Sequence, residues 1–168
     1  MVEIINNLFV GNQNDYEMNK NNDNSWFFIH ACKEPYHRAA LGYKGKGAPK
    51  DHPEYLIAVR NNHLILNLVD ADDYNYIPME VINRTLKEIK IAIDSNKKVL
   101  LHCNRGESRS PVIGLLFLSS IGFFEQKEFM ESERMFKKIY TSYNPATGMR
   151  DFALKNWHYY QNKHFINQ

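Results

Sequence analysis

The sequence predicts an α/β domain built on a central, mostly parallel sheet flanked by helices. Short apolar and β-branched runs alternate with helix-periodic segments along most of the chain. One such run, Lys98 to His102, passes through a short glycine-containing loop straight into an apolar helix-like stretch. The 168 residues suit a single domain, residues 1–168, with a full core.

Ile4 to Val10 reads as the first strand, and the polar, asparagine-rich stretch 15–23 as a loop or short helix. Trp26 to Ala31 is a short apolar run of strand type. In residues 33–54, Gly42, Gly45, Gly47, Pro49 and Pro53 break any period, so this segment is expected to be irregular. Tyr55–Val59 and His63–Val69 read as two strands, with Asn61-Asn62 as the turn between them. Ile82, Leu86, Ile89 and Ile93 recur at helical spacing and predict an amphipathic helix over 78–95. Lys98–His102 is the next strand. Ser110–Ile121 reads as a buried apolar helix ended by Gly122. Phe129, Glu133, Phe136 and Tyr140 share a face of a helix over 125–140, and 150–162 is a last helix carrying Trp157.

The run His102-Cys103-Asn104-Arg105-Gly106-Glu107-Ser108-Arg109-Ser110 carries the chemistry. A thiol at a strand end faces a loop whose N–H groups converge on an anion, and the helix beyond adds its positive end. Gly106 accepts a backbone conformation closed to other residues. Arg109 offers a planar fork to two phosphate oxygens. A cysteine in such a field ionises at roughly 3.5–7.5 rather than about 8.5, which would make Cys103 a thiolate nucleophile at neutral pH. Ser110 either donates to the Cys103 sulfur or caps the following helix. His102 either buttresses the loop or is a satisfied core histidine. Ser108 contributes to loop structure, and Asn104, Arg105, Gly106, Glu107 and Ser108 together form the phosphate cradle.

Composition narrows the setting. A net charge of +2 gives no bulk reason to expect a nucleic-acid partner. The longest apolar run, Val112–Leu118, is far short of the roughly 20 residues of a membrane span. The first residues, Met1-Val2-Glu3-Ile4, lack a signal-peptide pattern. Two cysteines are too few for a secreted disulfide scaffold, so a cytoplasmic location is expected.

His102 to Pro111, read as His-Cys-x-x-Gly-x-Ser-Arg-Ser-Pro, resembles the signature loop of the dual-specificity branch of the cysteine-dependent protein tyrosine phosphatases. Asn7-Leu8-Phe9-Val10-Gly11-Asn12 is similar to that family's opening strand and glycine. Asn144-Pro145-Ala146-Thr147-Gly148-Met149 resembles its late Asn-Pro-x-x-Gly-Phe segment, with methionine in place of phenylalanine. Most of the chain is covered, but 33–54 is not. The resemblance implies a protein tyrosine phosphatase-like fold, hydrolysis of phosphate monoesters through a cysteinyl-phosphate, and no metal or other cofactor. It also implies an acid on a loop about thirty residues before the cysteine. Asp70, first past the strand, matches best, and Asp72 and Asp73 are the alternatives.

Residues 33–54 emerge near the same sheet edge. Their basic residues, with His37 and Arg38 nearest the strand, suit either a recognition flap for an anionic ligand or a solvated surface loop. Several members of the wider superfamily protect their nucleophile with a second cysteine. Cys32 suits that role by the resemblance, and a plain buried thiol is the alternative. The implied partner is a phosphorylated protein or a small phosphorylated molecule such as a nucleotide, an RNA 5′ end or a phosphoinositide. A phosphate-binding module without turnover is the reading from another class.

Overall fold

The computed structural model describes residues 1–21 and 25–162. Its strands are β1 (Val2–Ile5), β2 (Leu8–Gly11), β3 (Trp26–His30), β4 (Ile57–Arg60), β5 (His63–Leu66) and β6 (Lys98–His102). They form one sheet in the order β1-β2-β6-β3-β5-β4. The central pairs β2/β6, β6/β3 and β3/β5 are parallel, and the two edge pairs are antiparallel. Central strands covered on both faces must be apolar nearly throughout, which is why Val99-Leu100-Leu101 shows no alternation.

The pleat sends successive residues to opposite faces. Phe27, Ile29, Val99 and Leu101 join the main core. They meet Ile82, Leu86 and Ile89 of α3 (Met79–Asp94) and Val112, Leu115 and Leu116 of α4 (Arg109–Ser120). Trp26, Phe28 and Leu100 face the other way and form a smaller cluster with Phe9 and Tyr16. Tyr16 belongs to α1 (Gln13–Asn19), whose start is fixed by a reciprocal capping box: Asn12 accepts from the Asp15 N–H, and Asp15 accepts from the Asn12 N–H. Chain order is completed by α2 (Arg38–Leu41), α5 (Phe129–Ile139), α6 (Thr147–Lys155) and α7 (Trp157–Gln161).

Several boundaries differ from the sequence reading. The single strand expected over Ile4–Val10 is a hairpin, β1 turning into β2 at Asn6-Asn7, with Asn7 at φ +65°. Asparagine tolerates that left-handed conformation better than most residues, so the turn has a chemical basis. The stretch 15–23 supplies most of α1, and its residues 22 and 23 lie outside the described residues. Segment 33–54 is not irregular throughout: a turn over Lys33–His37, extended at Glu34, runs into α2. The strand at 63–69 stops at Leu66, although the Asn67 N–H still donates to the Leu56 carbonyl in the same register. The last helix is two, α6 and α7, broken at Asn156. The apolar helix α4 is buried along its whole length, as expected, and Gly122 follows it at φ +78°.

Among the described residues no helix is long and apolar enough to cross a membrane.

Candidate active site

Strand β6 delivers Cys103 to the carboxyl edge of the sheet, and α4 begins six residues later at Arg109. The loop between them closes tightly. Gly106 sits at φ +73°, and a Cβ there would lie 2.9 Å from the Gly11 carbonyl oxygen, so both conformation and space demand glycine. The Tyr140 hydroxyl donates to the Gly106 carbonyl at 2.8 Å and holds the turn from outside.

Cys103 is 1% exposed, at the floor of a cleft of about 280 Å³. Its Sγ accepts the Gly106 N–H at 3.3 Å and the Ser110 hydroxyl at 3.2 Å. Both donors point at the sulfur. Ser110 lies inside α4 rather than at its cap, so of its two expected roles the contact to sulfur is the one found. Its hydroxyl also lies 3.1 Å from the Gly11 carbonyl, a second acceptor for the same proton.

Arg109 is nearly buried. Nη1 donates to the Leu68 carbonyl at 3.2 Å and Nη2 to Asn104 Oδ1 at 2.8 Å, while Nε has no hydrogen-bond partner. The guanidinium is therefore oriented by the chain just past β5 and by the loop itself, with two of its five N–H groups used in this way. Asn104 passes the support on, donating to the Glu34 carbonyl at 2.9 Å. Arg105 is 80% exposed and pairs with Glu107 at 3.0 Å, so its charge is offset at the rim.

Asp70 shares this cleft with Cys103, Asn104, Arg105, Glu107, Ser108 and Arg109. Ser108 Oγ donates to Asp70 Oδ1 at 2.7 Å and accepts the Ala146 N–H at 3.0 Å. Asp70 Oδ2 lies 3.9 Å from Arg109 Nε. Asp72 and Asp73 are exposed and do not line the cleft; Asp73 instead accepts the Asn75 N–H and starts a short helical turn. Geometry thus brings Asp70, not its neighbours, to Cys103 and Arg109.

The segment Asn144-Pro145-Ala146 forms the remaining wall. The Asn144 N–H donates to the Glu107 carbonyl at 2.8 Å. A Cβ on Gly148 would strike the Ala71 carbonyl, so glycine is what lets the Asp70 loop rest against this segment. Nothing in the residue types of this motif, apart from its family resemblance, points to a place in the cleft wall.

His37 and Arg38 do not line the cleft. His37 is buried and ties its own loop, with Nε2 3.0 Å from the Glu54 carbonyl and Nδ1 3.3 Å from the Tyr43 hydroxyl. Arg38 forks onto Glu34 at 2.7 and 2.8 Å and donates to the Tyr43 and Gly45 carbonyls. The 33–54 segment reaches the loop through the Glu34 backbone rather than through these side chains. Cys32 is buried and unbridged, and burial pushes its thiol up to about 12. Among the described residues no group of three or more His, Cys, Asp or Glu side chains is placed to hold a metal ion.

His102 is fully buried, and its Nε2 meets Nδ1 of His30, itself buried, at 2.7 Å. Burial holds His102 down at about 4 and His30 well below the usual histidine range. The unfolded chain then takes up protons near pH 6.5 that the fold refuses, so stability falls as pH drops from about 6.5 toward 4. From His102 alone, denaturant unfolding at pH 5 should give about 2 kcal/mol less stability than at pH 7. Equal stability at the two pH values would contradict this.

No protein-family model matches the chain, and no curated protein matches it in sequence. Its structure, however, superimposes on solved phosphatase structures. The structure of DUSP15 aligns at a TM-score of 0.66 and 15% identity, over 97% of this chain and 91% of that one. The chain has the dual-specificity phosphatase fold. Human DUSP28 aligns at a TM-score of 0.61 and 14% identity, covering 96% of this chain and 92% of that one. A human tyrosine phosphatase-like serine/threonine/tyrosine-interacting protein shares the dual-specificity phosphatase fold at 0.59 and 16%, over 95% of each chain. Against that fold, Cys103 and Arg109 open and close the loop between the central strand β6 and helix α4.

Proposed function

We propose that this protein hydrolyses phosphate monoesters through a cysteinyl-phosphate, with phosphotyrosine and phosphoserine or phosphothreonine of proteins as its substrate class. The observation that carries the reading is the Cys103 sulfur, which accepts an N–H and a hydroxyl at the floor of a cleft that also holds Arg109 and Asp70. In the first step Cys103 Sγ forms a bond to phosphorus as the ester P–O bond breaks, and Asp70 gives its proton to the leaving oxygen. In the second, Asp70 takes a proton from water, the water oxygen bonds phosphorus, and sulfur leaves as thiolate, eased by the Ser110 hydroxyl. Loop N–H groups from Asn104 to Ser108 and the Arg109 guanidinium bind the phosphoryl oxygens. No metal or cofactor enters either step. Ser108 positions Asp70, and the backbone bonds of Asn104 and Asn144 keep the cradle in shape.

Turnover of a generic aryl phosphate tests for the enzyme: its absence would leave only a phosphate-binding module. A panel of phosphopeptides, nucleotides, RNA 5′ ends and phosphoinositides, compared by kcat/KM, tests the substrate class. Phosphopeptides are expected to lead; a preference for a nucleotide-like or inositide phosphate would move the assignment there.

Two free thiols fit a reducing cytoplasm, the compartment we assign. The family resemblance offers Cys32, a buried and unbridged thiol, as the protecting thiol of the site, with a plain buried thiol as the alternative. The high value of Cys32 keeps it a neutral thiol at pH 7, so peroxide is expected to oxidise Cys103 first and Cys32 to displace water from the resulting sulfenic acid. Mild peroxide followed by intact mass should show loss of two hydrogens and both thiols. Sulfinic acid on Cys103 with Cys32 still free would refute the assignment.

A further inference from the structure

We propose that His30 and His63 are positioning residues for the Cys103 loop: with His102 they form one hydrogen-bonded chain of imidazoles, and His63, at its outer end, fixes which nitrogen of His102 carries the proton. The chain spans three neighbouring strands. His102 Nε2 meets His30 Nδ1 at 2.7 Å, and His30 Nε2 meets His63 Nδ1 at 2.8 Å. His30 and His102 lie opposite each other in register, and His63 pairs with Phe28, two residues back on the same face as His30.

Aromatic rings seal the chain. Tyr16 stacks on His102 at 5.0 Å and meets His30 edge-on at 4.6 Å and His63 at 6.0 Å. Tyr36 stacks on His30 at 4.2 Å and lies 5.1 Å from His102. His102 and His30 are 0% and 1% exposed, whereas His63 is half-buried. Of the charged groups on α1, Asp15 and Glu17 act on His102 and favour its cation, but burial outweighs them. Burial lowers His63 as well, and Tyr16 and Tyr36 are both shifted away from ionising.

Three neutral imidazoles in a row leave little freedom. Each carries one N–H and one bare nitrogen, so the two internal bonds must both run inward or both run outward. Running inward, His63 Nδ1–H donates to His30, His30 Nδ1–H donates to His102 Nε2, and the last proton sits on His102 Nδ1. That atom is buried and has no partner within hydrogen-bond geometry, and it is the ring nitrogen left free to meet the adjacent Cys103 backbone, which favours protonation of this imidazole. Running outward would leave a bare nitrogen at that place. The inward chain leaves its bare nitrogen at His63 Nε2 instead, on the half-buried residue. Because Cys103 follows His102 directly, a fixed His102 ring fixes the start of the loop. Nothing in the sequence pairs these residues, which lie 72 and 33 positions apart.

The catalytic consequence rests on Cys103 being the nucleophile; the tautomer does not. The test joins nitrogen-15 NMR of the imidazoles with steady-state kinetics on an aryl phosphate. Wild-type protein is expected to show His102 protonated at Nδ1 and bare at Nε2. His63→Leu removes the outer donor and should lower kcat about tenfold, the low end of what outer hydrogen-bond partners carry at metal-bound histidines, with KM nearly unchanged. His63→Asn places an amide N–H where Nδ1–H stood and should restore kcat. A wild-type His102 protonated at Nε2 would overturn the proposal even if no variant folds. So would an unchanged kcat in His63→Leu, or a loss that His63→Asn does not repair. Loss of all wild-type turnover would instead count against the phosphatase reading and leave the tautomer result standing.

Discussion

Cys103→Ser is expected to lower turnover of an aryl phosphate by roughly 10⁴–10⁶ while phosphate binding persists. Serine keeps the shape of the floor and can accept from Gly106 and Ser110 as sulfur does. What it lacks is an ionisable atom that attacks at neutral pH, since an alkoxide is far harder to form than a thiolate. The cradle, built from backbone N–H groups and from Arg109 anchored on Leu68 and Asn104, does not depend on the sulfur. Inorganic phosphate or an oxyanion mimic should therefore bind the variant about as well as wild type. A variant that turns over within tenfold of wild type would mean that water, not Cys103, attacks phosphorus.

Asp70→Asn is expected to cost roughly 10²–10⁴ in kcat toward a poorly activated ester such as phenyl phosphate. The loss should shrink for an activated leaving group, which departs without a proton. Deacylation-like release from sulfur still needs a base, so with an activated ester the variant should accumulate phosphoenzyme after a fast first turnover. Asparagine preserves the bond from Ser108 through its carbonyl oxygen, so the loop should stay in place. Asp72→Asn and Asp73→Asn should leave the leaving-group dependence untouched, because neither side chain lines the cleft. A uniform loss across leaving groups for Asp70→Asn would make Asp70 a structural residue.

The site was readable where it is local and obscure where it is not. Cys103, Gly106 and Arg109 lie within seven residues, and one short loop between β6 and α4 holds all three. Asp70 followed from the expected end of a strand, even though β5 stops at Leu66 rather than Val69, because the chain continues along the same edge. His37 and Arg38 do not reach the cleft because proximity to a strand end says nothing about side-chain direction; both side chains bond within their own loop. The prop from Glu34 to Asn104 joins residues 70 apart through a backbone carbonyl, which no residue type announces. The hairpin at Asn6-Asn7 was hidden by a continuous apolar pattern on either side. The break at Asn156 likewise interrupts a segment whose periodicity gives no warning, since α6 and α7 both bury aromatic residues.

The account turns on sulfur becoming phosphorylated. The direct measurement is intact mass, then peptide mapping, of the Asp70→Asn variant quenched in denaturant during turnover of an activated aryl phosphate. One added phosphoryl group on Cys103, absent from Cys103→Ser, is the predicted result. Steady turnover with no phosphoryl on the protein, or with it on another residue, would contradict the account.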